Sequence, residues 1–66
     1  MGEYQKALDA ALKVYDINPN RVPNLIHLAD LYQKLGDTAR AHDALDRALR
    51  LDPDNRQARS LMGVLP

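Results

Sequence analysis

The sequence has no cysteine, which excludes a disulfide staple and a thiolate zinc site. It has no net charge either, because nine lysines and arginines balance nine aspartates and glutamates. General binders of nucleic acid or of anionic membranes need a basic excess, so neither kind of partner is expected. No apolar run approaches the roughly 18 residues of a membrane span. The first residues lack the apolar core of a signal peptide. Met1-Gly2 opens like a myristoylation signal, but Lys6 stands where that signal needs Ser or Thr. A soluble, cytoplasmic chain is therefore expected, and a segment of a longer protein would read the same way. At 66 residues it makes one small domain at most, with a thin stability margin, since a chain of this size buries only about 60% of its unfolded surface.

Chemistry-bearing patterns are also scarce. Gly2, Gly36 and Gly63 are isolated, so no glycine-rich loop is present to cradle a phosphate. His27 and His42 lie on different segments with no acid at metal-ligand spacing, so no metal and no cofactor are expected. Eight of the nine acids are aspartates scattered over wet faces and turns, which suits capping and solvation better than general acid–base work. Thr38 and Ser60 have no base within a plausible motif, and the three tyrosines read as packing residues. No catalytic residue is assigned, and an enzyme is not expected.

What is present is a repeat. Pro19 and Pro53 stand 34 residues apart, and the sequence around them recurs. Asp16-Ile17-Asn18-Pro19-Asn20 returns as Arg50-Leu51-Asp52-Pro53-Asp54. Gly2-Glu3 returns as Gly36-Asp37, Lys6-Ala7 as Arg40-Ala41, and Asp9-Ala10 as Asp43-Ala44. Self-similarity at a fixed period marks a repeat array.

The local signals say what is repeated. Glu3 to Ile17 reads as a helix with a charged stripe of Lys6, Asp9, Lys13 and Asp16 and a wide apolar arc. Pro19 ends it, because proline disfavours helical geometry in the residue before it. Asn20 is the expected N-cap of the next helix, with Pro23 in its first turn. Leu25, Leu28, Ala29, Tyr32 and Leu35 then form a core-facing stripe. Gly36 is the stop and Asp37 the next cap. Thr38 to Leu51 turns Ala41, Ala44, Leu45, Ala48 and Leu49 inward. Asp9–Lys13, Asp43–Arg47 and Asp46–Arg50 are expected i, i+4 ion pairs. Asp54 is the expected cap of a fourth helix, Arg56 to about Val64, which Pro66 stops.

This pattern resembles the tetratricopeptide repeat, a helix–turn–helix unit of about 34 residues. Leu25 stands in the family's Trp slot, Leu28-Ala29 in its Leu-Gly slots and Tyr32 in its Tyr slot. Ala41, Leu45, Ala48 and Pro53 complete the unit, and Met62-Gly63 match Leu-Gly again. The resemblance implies an all-α fold of four helices, in antiparallel pairs of a short α-solenoid. Residues 1–19 would be the second helix of an incomplete repeat, 20–53 a complete repeat, and 54–66 the first or capping helix of a third.

The resemblance further implies a non-catalytic protein–protein interaction module whose groove binds a peptide or partner protein. Carried over residue by residue, that groove comprises Ile26, His27, Asp30, Gln33 and Lys34, with Gln57, Ser60 and Leu61. The family's carboxylate clamp for acidic peptide ends is not expected, because His27, Asp30, Gln57 and Leu61 replace its Asn, Lys and Arg positions. The alternative is a self-assembly unit. Compared with its later copy, the first helix carries an extra ridge, Tyr4–Leu8–Leu12–Tyr15, with Leu12 in place of Asp46. That ridge is expected to be uncovered and to be met by another copy, either by its last helix, Arg56 to Leu65, docking head-to-tail or by two first helices pairing about a two-fold axis; the homodimer is the favoured form.

Overall fold

The computed structural model describes residues 2–65 and has four helices in chain order: α1 Glu3–Ile17, α2 Val22–Lys34, α3 Thr38–Leu51 and α4 Arg56–Val64. No strand occurs among the described residues. The stop expected at Pro66 lies outside them.

The period of the sequence reappears in the backbone. Asn18, before Pro19, leaves α1 in extended geometry at φ −143°, and its N–H donates to the Val14 carbonyl. Asp52, before Pro53, leaves α3 at φ −143°, and its N–H donates to the Ala48 carbonyl. Proline excludes the helical well for its predecessor, so both second helices end one residue early and in the same way. Gly36 turns the chain between α2 and α3 at φ 82°, where a Cβ would be strained. Asp37 then caps α3 through the Arg40 N–H, as expected.

Two caps differ from expectation. The residue before α2 is Arg21, with no side-chain cap bond, and Pro23 in the first turn removes one of the donors that need satisfying. Asn20 instead accepts from Arg47, whose Nη2 lies 2.8 Å from Asn20 Oδ1 and whose Nε donates to the Pro19 carbonyl at 3.0 Å. At α4 the cap is Asn55, not Asp54: its Oδ1 accepts from the Ala58 N–H at 3.0 Å. The charge pairing differs as well. Among the described residues the ion pairs are Asp30–Lys34 and Asp37–Arg40. The Asp9–Lys13, Asp43–Arg47 and Asp46–Arg50 pairs do not form. Arg47 is drawn to the α1–α2 turn instead, and Asp9 accepts from Gln5.

Packing centres on α2, which touches all three other helices. Leu25, Ile26, Leu28, Ala29 and Leu31 of α2 are buried against Leu8 and Ala11 of α1, Ala44, Leu45 and Ala48 of α3, and Ala58 of α4. Alanine recurs where helices cross because it lets the backbones approach closely. Polar ties complete the docking. Asn24 Nδ2 donates to the Ala11 carbonyl at 3.0 Å, joining α2 to α1, and His42 Nδ1 lies 3.2 Å from Met62 Sδ, joining α3 to α4.

Two stability outcomes follow from this packing. Ala41 is fully buried and Asp46 is exposed. Ala41→Leu is expected to cost about 1–3 kcal/mol by overpacking. Asp46→Leu is expected to stay within about 0.5 kcal/mol. Urea titrations of the two variants check the contrast, and equal losses would contradict it. The second outcome concerns acid. The Arg40 side chain bonds the Asp37 carboxylate at 2.7 Å and the Arg40 N–H adds a second bond, so the carboxyl pKa lies below its ordinary value. A depressed folded pKa means the stabilisation is complete above the unfolded value, near 4, and is lost as pH falls through the folded one. Asp37→Asn should therefore melt below the native chain at neutral pH, with the gap closing as pH falls below about 4.

Candidate functional site

Two surface features are built by the helix pairing. The first lies between α2 and α4. It is an open depression of about 520 Å³ lined by Pro23, Ile26, His27, Asp30, Gln57, Ser60 and Leu61. Residues 23, 26, 27 and 30 share one face of α2, and 57, 60 and 61 share one face of α4, so helical spacing alone brings each set together. Ile26 is buried and forms the floor, Leu61 is half-buried, and His27, Gln57 and Ser60 are exposed. The lining includes no Lys or Arg, so no clamp for a carboxylate is built into it.

Six of the eight residues expected in a groove thus meet there. Gln33 and Lys34 do not. Lys34 bonds Asp30 at 2.6 Å, and its ammonium stands 5.8 Å from the Tyr4 ring centroid. The Asp30 carboxylate holds the Lys34 ammonium above its ordinary pKa. One lining residue, Pro23, is absent from the expected set. Its position one turn before Ile26 and His27 is the signal that would have found it.

The second feature is a cleft between α1 and α3, with α2 as its floor. It measures about 210 Å³ and is lined by Leu12, Tyr15, Leu25, Leu28, Tyr32 and Ala44, with Arg40, Asp43 and Arg47 at its edge. Arg47 Cζ lies 6.0 Å from the Tyr15 ring centroid, closing one end. This cleft corrects the expected self-association ridge. Leu8 is only 5% exposed, inside the core, and Leu12 and Tyr15 are half-buried against it. Tyr4 alone of the four is open, at 49%. The ridge faces the chain's own α2 and α3, because the angular step between helix residues turns 8, 12 and 15 toward them. Leu8 is thus closed to a second copy and Leu12 and Tyr15 are only partly open, so the ridge is not the uncovered surface expected to join a homodimer.

Among the described residues, no three His, Cys, Asp or Glu side chains gather as metal ligands, and no helix is long and apolar enough to cross a membrane.

Comparison with known proteins shows what the chain as a whole is similar to. The model of the tetratricopeptide repeat matches residues 1–65. Anaphase-promoting complex subunit 3 of Dictyostelium discoideum is 40% identical to this chain over 65 residues. Those residues are 97% of this chain and 7% of that protein, so the chain spans a small part of its relative. No solved structure matches.

The cleft suggests a stabilising substitution. Leu25 lines it and occupies the slot where the repeat pattern often has Trp. Leu25→Trp should fill the space and raise stability by about 0.5–2 kcal/mol, the usual yield of cavity filling. Thermal melting measures it, and a loss of stability would mean that the cleft cannot open to admit the ring.

Proposed function

Because the chain belongs to the tetratricopeptide repeat family, we propose that it is a non-catalytic protein-interaction module whose α2–α4 depression takes a segment of a partner protein. The observation that supports this is the convergence of Ile26, His27, Asp30, Gln57, Ser60 and Leu61 on one open surface. Its chemistry suits a peptide. Ile26 and Leu61 offer apolar surface for one side chain, while His27, Asp30, Gln57 and Ser60 offer hydrogen-bonding groups to a peptide backbone. In this reading residues 1–19 are the second helix of an incomplete repeat, 20–53 are a complete repeat, and 54–66 are the first or capping helix of a third. The Dictyostelium relative is named as a subunit of a complex, which fits a role in a multi-protein assembly for this chain too.

A second reading, self-assembly through apolar helix faces, is favoured by one observation. Val14 and Ile17 on α1 are exposed, Ile17 at 86%.

The partner-binding reading is tested by selecting peptides against the chain from a display library and mapping the selected peptide by amide chemical shifts. The shifts are expected at His27, Asp30, Gln57 and Ser60. Asp30→Lys with Ser60→Tyr should weaken binding at least about tenfold, or 1.4 kcal/mol. Shifts confined to α1 and α3 would overturn it.

A further inference from the structure

The bulky ridge of α1 and the leucine in the tryptophan slot of α2 meet in one place, the cleft between α1 and α3. Leu12 and Tyr15 form one wall, Ala44 faces them from α3, and Leu25, Leu28 and Tyr32 of α2 make the floor. All three walls are helices of this chain. One period later the same lining does not recur: Asp46 replaces Leu12 and Arg59 replaces Leu25. The apolar cleft therefore belongs to this place in the chain and not to the repeat.

Volume and polarity decide what fits. An apolar cavity of about 150 Å³ is enough for a benzene ring. At about 210 Å³ this cleft has room for a bicyclic one. Charged groups stand at its edge. Arg47 is held by the Pro19 carbonyl and Asn20, and Arg40 is held by Asp37. Asp43 feels the charge of Arg40 but makes no hydrogen bond or ion pair among the described residues. A cationic occupant would meet two guanidiniums, and an anionic one would meet Asp43. A neutral indole suits both features, being a flat apolar ring with a single N–H to donate. The chain has no tryptophan, so neither its own residues nor a second copy supplies that ring. What adjoins the cleft favours a peptide as the source. A larger depression of about 440 Å³ shares Leu12, Tyr32 and Arg40 with it and continues past Gln5, Leu35 and Asp37. Its polar groups suit the backbone that flanks an inserted side chain.

We propose that the α1–α3 cleft takes the tryptophan side chain of a partner protein, its indole lying on Leu25 and Leu28 and its ring N–H donating to Asp43. Tryptophan is among the residues that most often anchor protein interfaces in pockets of this kind. The site goes beyond the α2–α4 reading. Residues 25, 28 and 32 lie on the side of α2 opposite residues 23, 26, 27 and 30 by helical spacing. Each surface therefore stands or fails without the other.

The probe that tests this is N-acetyl-tryptophanamide, titrated to millimolar concentration into the full 66-residue chain and followed by amide chemical shifts. Saturable shifts are expected at Leu12, Tyr15, Tyr32 and Ala44. N-acetyl-phenylalaninamide, which lacks the ring donor, should bind at least about threefold more weakly. Leu25→Trp fills the cleft and should weaken the probe at least about tenfold without lowering the melting temperature. Asp43→Ala, at an exposed position, should melt like the native chain and lose the preference for the tryptophan probe, a comparison that does not depend on how Leu25→Trp folds. No saturable shift, shifts centred on His27, Gln57 and Ser60, or binding that a folded Leu25→Trp leaves intact would overturn the proposal. Saturable shifts with free indole but none with the amide would overturn the peptide source in favour of a small molecule.

Discussion

The burial of α2 on three sides is the constraint on which the rest of this small structure depends. Among the described residues, one cluster of buried side chains forms around α2. Leu25 and Leu45, the largest fully buried side chains, belong to α2 and α3, the two helices in most extensive contact. α1 gives it Leu8 and Ala11, α3 gives Ala44, Leu45 and Ala48, and α4, which meets α3 more extensively than α2, adds Ala58 to the same core. Small residues at most of these crossings bring the helix axes close. Long side chains are then left to the periphery, where they join turns rather than fill space.

Arg47 shows how the periphery works. It spans from α3 to the turn between α1 and α2, with two hydrogen bonds around Pro19 and Asn20. Arg59 repeats half of this in the later turn, donating to the Pro53 carbonyl at 2.9 Å. The proline that ends each second helix thus also presents a free carbonyl to an arginine of a later helix. These bonds are exposed: they tie α3 to the turn between α1 and α2 and α4 to the turn before it, and neither arginine lines the surface between α2 and α4.

That surface was legible in the sequence to the extent that it depends on one helix at a time. His27 and Asp30 share a face of α2, and Gln57 and Ser60 share a face of α4, because of helical spacing alone. Lys34 escaped the same reasoning. Its long side chain had a nearer partner in Asp30 and an aromatic ring on α1 to lie over, and the ring does not follow from spacing within α2.

Local chemistry in the sequence determined where helices stop and which stripe of each is apolar. Pro19, Pro53, Gly36 and Asp37 act within a few residues of themselves, so the helices end at the residues those signals mark. The 34-residue period likewise carried the family. Only the tertiary structure decided which side of α1 is covered. The ridge Leu8–Leu12–Tyr15 and the side Ala7–Ala10–Val14–Ile17 are both apolar, and composition favours neither. The direction from which α2 and α3 approach settles it, turning the bulky ridge inward and leaving the small-residue side with Val14 and Ile17 open to solvent.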